Sequence, residues 1–334
     1  MQAVEISSYG GPEVLKIAER PMPAVGPDEV LIAVEAAGVS RADLMQRKGN
    51  YRPPPGASDI PGLDVAGTVR EVGSSVQGWR KGDRVCALLS GGGYAEYCSV
   101  PAVQVLPIPP GWTATEATTL PENLFTVYDN LVTRARLKSG DTVLVHGGTS
   151  GIGSMAIMLA QAIGAKPYAT AGTEEKCAAC RTLGAADAVN YRTKDFVEVV
   201  KEWTASRGVD VVLDMVGGPY LEKNIEVMAV EGRLTLIATQ GGTTGTLPIH
   251  RLMMKRGTIV ASTLRARTPE EKGEVARQLL ANIWPLLPSK EHIRPLIDRV
   301  FPLEDASRAH QRLEEGDHIG KIVLLVNQAN KRAG

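Results

Sequence analysis

The sequence predicts an α/β protein: a compact, partly closed β domain, then a doubly wound parallel sheet of six strands, with one further strand returning to the first domain. Three observations carry that reading. From Met1 to about Pro109 short apolar runs alternate with turn residues. From about Thr115 the apolar spacing becomes helical, and six short strands then alternate with helical stretches. At the junction of strand and helix, Thr142 to His146 runs into Gly147-Gly148-Thr149-Ser150-Gly151-Ile152-Gly153, followed by Met155, Met158, Leu159, Ala162 and Ile163 on one helical face.

In the first stretch the strands expected are Gln2 to Ser7, Val30 to Ala36, Val65 to Val72, Arg84 to Leu88, Tyr94 to Ser99 and Val103 to Pro107. Gly10-Gly11-Pro12, Gly26-Pro27-Asp28, Gly73-Ser74 and Lys81-Gly82-Asp83 separate them by turn chemistry. Arg41 to Arg47 suits one or two helical turns. Gly49 to Gly56 must be irregular, because Pro53, Pro54 and Pro55 supply no ladder donors. In the second stretch Ala117, Leu120, Leu124, Val127, Leu131 and Val132 share a broad helical face. The parallel strands are then Thr142 to His146, Pro167 to Thr170, Ala188 to Tyr191, Val209 to Asp214, Arg233 to Ala238 and Thr258 to Ser262, with runs such as Val211-Val212-Leu213 apolar on both faces, as a doubly covered sheet requires. Helices over Glu270 to Ile283 and Glu304 to Glu314 precede a last strand, Ile322 to Val326, which has no place in a completed six-strand sheet.

A chain of 334 residues with 43% hydrophobic and 22% charged residues has material for two domains with real cores. Lys plus Arg and Asp plus Glu both total 37, so nothing favours nucleic acid or an acidic membrane surface, and a small-molecule partner is expected. Without a basic, apolar leader or eighteen consecutive apolar residues, the expectation is a cytoplasmic protein. Cys86, Cys98, Cys177 and Cys180 are too scattered for a disulfide framework, and Cys177-x-x-Cys180 reads as helix packing rather than a redox or metal pair.

Gly148-x-Ser150-x-x-Gly153 has the spacing of a dinucleotide fingerprint: small residues let the backbone approach a phosphate, and the helix N-terminus supplies N–H donors. A turn of purely structural use remains the alternative. At the end of the second strand, Thr170 to Lys176 carries no carboxylate at the strand end itself. Gly172 leaves room, Thr173 offers a hydroxyl and Lys176 a charge, which favours NADPH over NADH provided Glu174 and Glu175 face solvent.

Taken with Ala37 to Asp43, Pro61 to Gly67, Gly82 to Val85, Gly92 to Tyr97, Leu183-Gly184-Ala185 and Gly320 to Leu324, these features resemble the medium-chain dehydrogenase/reductase superfamily. Within it the likeness is to the zinc-free quinone oxidoreductases, and Leu44 to Tyr51 with Pro53 to Ser58 resembles the branch typified by the p53-inducible quinone oxidoreductase. The resemblance implies a GroES-like catalytic domain over 1–123 and 267–334, and a Rossmann NADPH-binding domain over 124–266. It implies that Ser150, Gly151, Ile152 and Gly153 hold the pyrophosphate. Gly172, Thr173, Lys176 and Tyr191 would surround the adenosine and its 2′-phosphate, and Thr126, Ala238, Thr239, Thr263 and Leu264 the nicotinamide. Tyr51 would reach the nicotinamide end of the cofactor cleft between the domains, and Ser40, Asp43 and Tyr51 would line the substrate pocket.

Zinc-dependent relatives carry a cysteine where this chain has Ser40, a histidine-glutamate pair where it has Leu63-Asp64, and a four-cysteine lobe near Ser90 to Gly93, where this chain has no cysteine. A serine and a leucine cannot replace thiolate and imidazole, so no metal is expected, and the chemistry implied is hydride delivery to an acceptor activated by conjugation. Tyr51 is the candidate proton donor, with water as its alternative; Asp43 is alternatively a structural carboxylate. Reduction of 2-alkenals or enones, and cofactor binding without catalysis, are the rival readings. A short-chain reductase is excluded, because no tyrosine has a lysine four residues on. A homodimer paired through Thr258 to Ser262 is expected, since an open sheet edge needs cover.

Overall fold

The computed structural model describes residues 1–326. It separates into two compact units, Met1–Phe125 with the chain from Leu264 onward, and Thr126–Thr263.

The first unit opens on an antiparallel pair, β1 (Gln2–Ile6) and β2 (Leu15–Glu19). Then come β3 (Glu29–Val39), α1 (Arg41–Arg47), β4 (Asp64–Val72), β5 (Arg84–Leu88), β6 (Tyr97–Pro101), β7 (Val105–Pro107), α2 (Ala114–Ala117) and α3 (Pro121–Val127), in which the unit ends at Phe125. The second unit follows a seven-residue π-helical turn, Tyr128–Arg134, with β8 (Thr142–Val145), α4 (Gly151–Ala162), β9 (Lys166–Ala171), α5 (Glu174–Thr182), β10 (Asp187–Asn190) and α6 (Phe196–Trp203). It continues through β11 (Val209–Asp214), α7 (Leu221–Val227), β12 (Met228–Leu236), α8 (Ile249–Met254) and β13 (Thr258–Ala261). The chain then supplies the first unit with α9 (Pro269–Asn282), β14 (Ile297–Pro302), α10 (Ala306–Glu315) and β15 (Lys321–Leu325).

The second unit's sheet has the order β10-β9-β8-β11-β12-β13, all parallel. Strand order therefore reverses between β8 and β11, which opens a crevice beyond their carboxyl ends. Buried Leu144, Val189, Val212 and Leu234 pack this sheet against Phe196, Val200 and Ile225. The first unit's sheet runs β14-β15-β3-β4-β5-β7, with β6 also on β3. As expected, the last strand leaves the parallel sheet and returns: β15 lies antiparallel to β3, Ile322 opposite Val39 and Leu324 opposite Ala37.

The sequence reading missed β2 and β14. Leu15–Glu19 is mostly solvated and carries Lys16 and Glu19, and Ile297–Pro302 is interrupted by Asp298 and Arg299, so neither has the alternation of a half-buried strand. The strand expected from Tyr94 begins instead at Tyr97, because Gly92 and Gly93 bond back to Ile60 and Gly62, and Tyr94 to Pro61. Leu264 to Ala266 leave the second unit earlier than expected, since Arg265 is anchored in the first by Ser90, Tyr51 and Gln46.

One buried ion pair fixes the return of β15. Lys321 Nζ lies 2.6 Å from Asp64 Oδ2 and 3.3 Å from Glu122 Oε2, while the Glu122 amide donates to Asp64 Oδ1 at 2.5 Å. Gly38 on the intervening strand makes this possible, because a Cβ there would fall 2.7 Å from Lys321 Cε and 2.9 Å from Asp64 Cβ. Lys321→Met is expected to destabilise the protein by roughly 3–5 kcal/mol, leaving Asp64 buried and unpaired, and adding Asp64→Leu should restore part of that loss. Urea unfolding of both variants checks this; equal losses in the single and double variants would contradict it.

Candidate functional site

The glycine turn lies where the strand order reverses. Ser150 caps α4: its Oγ accepts from the Gly153 amide at 2.9 Å and donates to the Gly147 carbonyl at 2.8 Å, which closes the turn. The glycines are sterically required. A Cβ at Gly153 would sit 2.1 Å from the Gly147 carbonyl oxygen, and one at Gly148 would sit 2.6 Å from Cys180 Sγ. Cys177 and Cys180 are buried free thiols, and Cys180 packs beneath the turn. Ser150, Gly151, Ile152 and Gly153 thus form one turn without any charged side chain, in which the Ser150 amide donates to the Gly147 carbonyl at 3.0 Å and the Gly153 amide to Ser150 Oγ, so that the Gly151 and Ile152 amides are the ones the turn does not use.

At the end of β9, Thr173 caps α5 by accepting from the Lys176 amide at 3.2 Å. Lys176 is half-buried, whereas Glu174 and Glu175 are exposed. A Cβ at Gly172 would lie 3.0 Å from Tyr191 Oη and 3.4 Å from Arg192 Nε, so Tyr191 and Arg192 close over that glycine. Tyr191, Arg192, Lys194, Tyr220 and Lys223 line an adjoining cavity of about 290 Å³. The sequence reading passed over Arg192, although its signal was plain: a cation directly after the aromatic residue that ends the third parallel strand.

Beyond the ends of β12 and β13 lie Ala238, half-buried, with Thr239 and Thr263, both exposed. Thr126 in α3 accepts through its carbonyl from Asn130 Nδ2 at 2.8 Å. Asn130 Oδ1 in turn accepts from Thr235 Oγ1 at 3.1 Å and Ser262 Oγ at 2.8 Å, so one amide in the π-helical turn ties Thr126 to both strands. A further unforeseen group stands behind the glycine turn. Asp214, at the end of β11, accepts from the Val216 amide at 2.6 Å and from Asn224 Nδ2 at 3.0 Å. Asn224 Oδ1 lies 2.7 Å from His146 Nε2, and His146 Nδ1 lies 3.1 Å from Thr170 Oγ1. A carboxylate only accepts, so the orientation of Asn224 is determined and His146 is the neutral Nε2–H tautomer. Burial depresses the His146 pKa to about 4 and raises that of Asp214 to about 6.

In the first unit Asp43 holds Ser40 and the Gly62 amide, an arrangement that fits the structural-carboxylate reading of Asp43. Asp43 is fully buried. It accepts from the Ser40 amide at 2.8 Å, Ser40 Oγ at 2.9 Å, the Gly62 amide at 2.9 Å and Tyr94 Oη at 3.3 Å. Tyr94 Oη also lies 3.1 Å from His310 Nε2, and His310 Nδ1 lies 3.3 Å from Arg47 Nη1. Arg47 can only donate, so His310 donates to Tyr94 and Tyr94 to Asp43, a chain whose direction marks Asp43 as frame. Tyr51 is half-buried, with its carbonyl accepting from Arg265 Nη1 at 3.2 Å and its ring 5.2 Å from the same guanidinium. Burial raises its phenol pKa, against the opposing pull of Arg265. Leu264 is half-buried and belongs to this unit. Among the described residues no group of three or more His, Cys, Asp or Glu side chains is placed to hold a metal ion, and no helix is long and apolar enough to cross a membrane.

Residues 26–110 match the family model described as alcohol dehydrogenase GroES-like domain, and residues 151–282 the one described as zinc-binding dehydrogenase. The chain is 32% identical to the quinone oxidoreductase of Homo sapiens over 334 residues, 98% of each chain. It is similar in structure to Escherichia coli quinone oxidoreductase complexed with NADPH, with a TM-score of 0.85 and 29% identity over 98% of this chain and 100% of that one. An NAD-dependent alcohol dehydrogenase is similar at a TM-score of 0.86 and 31% identity, again over 98% of this chain and 100% of the other.

The buried His146–Asn224–Asp214 chain has a pH signature. Below its unfolded value of 6.5 and down to about 4, His146 binds fewer protons folded than unfolded, so its contribution to stability rises with pH. Asp214 does the reverse between 3.8 and about 6, and the two slopes oppose each other. Asp214→Asn removes one slope, so the variant should gain about 2–3 kcal/mol relative to wild type between pH 4 and pH 6. Unfolding midpoints across that window check it, and parallel profiles would contradict it.

Proposed function

The chain belongs to the medium-chain dehydrogenase/reductase superfamily, and on that premise we propose that it is an NADPH-dependent quinone oxidoreductase that works without a metal. The observation that carries the cofactor half is the continuity of the Ser150-capped cradle with the Gly172, Tyr191 and Arg192 cluster along adjacent strand ends. Within the turn Ser150, Gly151, Ile152 and Gly153, the Gly151 and Ile152 amides would take the pyrophosphate, and Ser150 and Gly153 would hold the turn that presents them. Gly172, Thr173, Lys176, Tyr191 and Arg192 would take the adenosine with its 2′-phosphate, two cations meeting a dianion that NADH lacks. Thr126, Ala238, Thr239, Thr263 and Leu264 are assigned to the nicotinamide end.

NADPH, when bound, supplies the hydride. The protein's part is to orient the acceptor, exclude water and manage one proton. Where a metal would need thiolate and imidazole, the chain offers the Ser40 hydroxyl and the buried alkyl side chain of Leu63, while the neighbouring Asp64 carboxylate is paired to Lys321. That donor set suits an acceptor that is electrophilic by conjugation, such as a quinone. Ser40 and Tyr51 are proposed to wall its pocket, with Asp43 holding Ser40 in place. A phenol with a raised pKa keeps its proton, so Tyr51 acts as a hydrogen-bond donor to the product oxygen, and water completes the protonation. A homodimer is proposed through β13: it is the sheet's edge strand, and Ile249, Met253 and Met254 on the preceding α8 are all more than half exposed.

The test is loss of nicotinamide absorbance with NADPH and NADH separately, against ortho-quinones, para-quinones and short enals. Preferred NADPH oxidation by quinones is expected; preference for enals would favour the enone reductase reading, and saturable NADPH binding without turnover a non-catalytic role. Lys176→Ala and Arg192→Ala should each raise the KM for NADPH roughly ten-fold and leave that for NADH little changed. Tyr51→Phe should lower kcat less than about ten-fold; near-total loss would make Tyr51 the essential acid. Light scattering should give a dimer that Val260→Pro converts to monomer.

A further inference from the structure

The first unit contains a second cavity, of about 560 Å³. Two cations stand in its wall. Lys272, 1% exposed, donates to Ser90 Oγ at 2.6 Å and to the Arg265 carbonyl at 2.8 Å. Arg265, 5% exposed, donates from Nε to the Ser90 carbonyl at 2.9 Å, from Nη1 to the Tyr51 carbonyl at 3.2 Å and from Nη2 to Gln46 Oε1 at 2.5 Å. Every one of these acceptors is neutral. Among the described residues neither cation is paired with a carboxylate, although buried charges are ordinarily paired because an unpaired one costs several kcal/mol. One ammonium N–H and two guanidinium N–H groups are left over from these bonds.

We infer that this cavity is a binding site for a small organic monocarboxylate, its carboxylate lying between Lys272 and Arg265 and its apolar body against Ile60, Leu89 and Val100. Two remaining guanidinium donors and one ammonium donor match the lone pairs of one carboxylate. The Lys272 pKa is pushed down to about 8 by burial and by the neighbouring Arg265 and Arg267, the state of an ammonium that lacks its counter-ion. A monoanion is favoured over a phosphate dianion for two reasons. Glu29 also lines the cavity, its carboxylate held by the Gly26 amide and Ser99 Oγ, and would repel the second charge. The volume and the apolar side chains exceed what an inorganic ion fills. All these residues lie in one unit, so the site does not rest on the quinone reading.

Titration calorimetry of the full-length protein without nucleotide tests this with three probes: sodium cinnamate, cinnamamide and inorganic phosphate. Cinnamate should bind saturably, with cinnamamide and phosphate at least ten-fold weaker, and Lys272→Gln, which keeps a donor toward Ser90, should weaken cinnamate at least ten-fold while leaving cinnamamide unchanged. Equal affinity for acid and amide, phosphate as tight as cinnamate, or no cinnamate binding would each overturn the inference. If Lys272→Gln does not fold, the comparison of the three probes on the wild-type protein decides alone.

Discussion

The pairing of Lys321 with Asp64 across Gly38 is the constraint on which the first unit depends. It joins the last described strand to β4 through the narrowest point of β3, and it does so where the sheet has no room for a side chain on the middle strand. A buried ion pair adds little net stability compared with apolar residues of the same shape, but it tolerates few alternatives: any register that separates the two charges leaves one of them unsolvated. Register along β15 is therefore specified by charge as well as by the apolar Ile322 and Leu324. The chain can leave for a whole second unit after Phe125 and still close the first correctly.

The second unit answers the same problem with neutral groups. Its glycine turn must be rigid yet expose backbone donors, so the support has to come from below. Ser150 closes the turn from within, Cys180 and Ala169 fill the space under Gly148, and Thr170 joins the turn to His146. His146 passes that constraint through Asn224 to Asp214, which holds the loop of Val216 and Gly217 after β11. The two strand ends that flank the crevice are thus coupled by one hydrogen-bonded chain whose members are all buried. Such a chain favours a single arrangement because turning any one member would leave a buried donor or acceptor of its neighbours unsatisfied.

Periodicity and turn chemistry made the two-unit order, the six parallel strands and the returning strand legible in the sequence, and the glycine spacing located the cradle before any coordinates. What stayed hidden was of two kinds. β2 and β14 are edge elements whose side chains are largely solvated, so burial leaves no alternation in them to read. The supporting polar groups, Asn130 on its own and His146, Asp214 and Asn224 together, lie apart in the sequence from the groups they bond, and only the fold shows those contacts. Asp214 did carry a signal, a carboxylate ending an otherwise apolar central strand, but its partner lies ten residues on in α7. Asp43 left two readings open in the sequence, substrate pocket or structural carboxylate, and the four donors around it, from Ser40, Gly62 and Tyr94, could not be seen there.

Arg265 has a bearing on the proposed reduction that goes beyond anchoring the chain. On the proposed metal-free reading, hydride delivery leaves negative charge on the acceptor oxygen, and positive potential there has to come from the protein. Asp43 cannot moderate this charge through Ser40 without giving up the bonds that hold α1, and Tyr51 holds its proton firmly because it is half-buried. The guanidinium 5.2 Å from the Tyr51 ring is a fixed charge with no carboxylate of its own among the described residues. Its field falls on the phenol and on whatever the phenol donates to, and in a partly desolvated pocket a charge at that range is weakly screened. On the proposed reading, stabilisation of the developing anion would then be electrostatic, with the proton following from water.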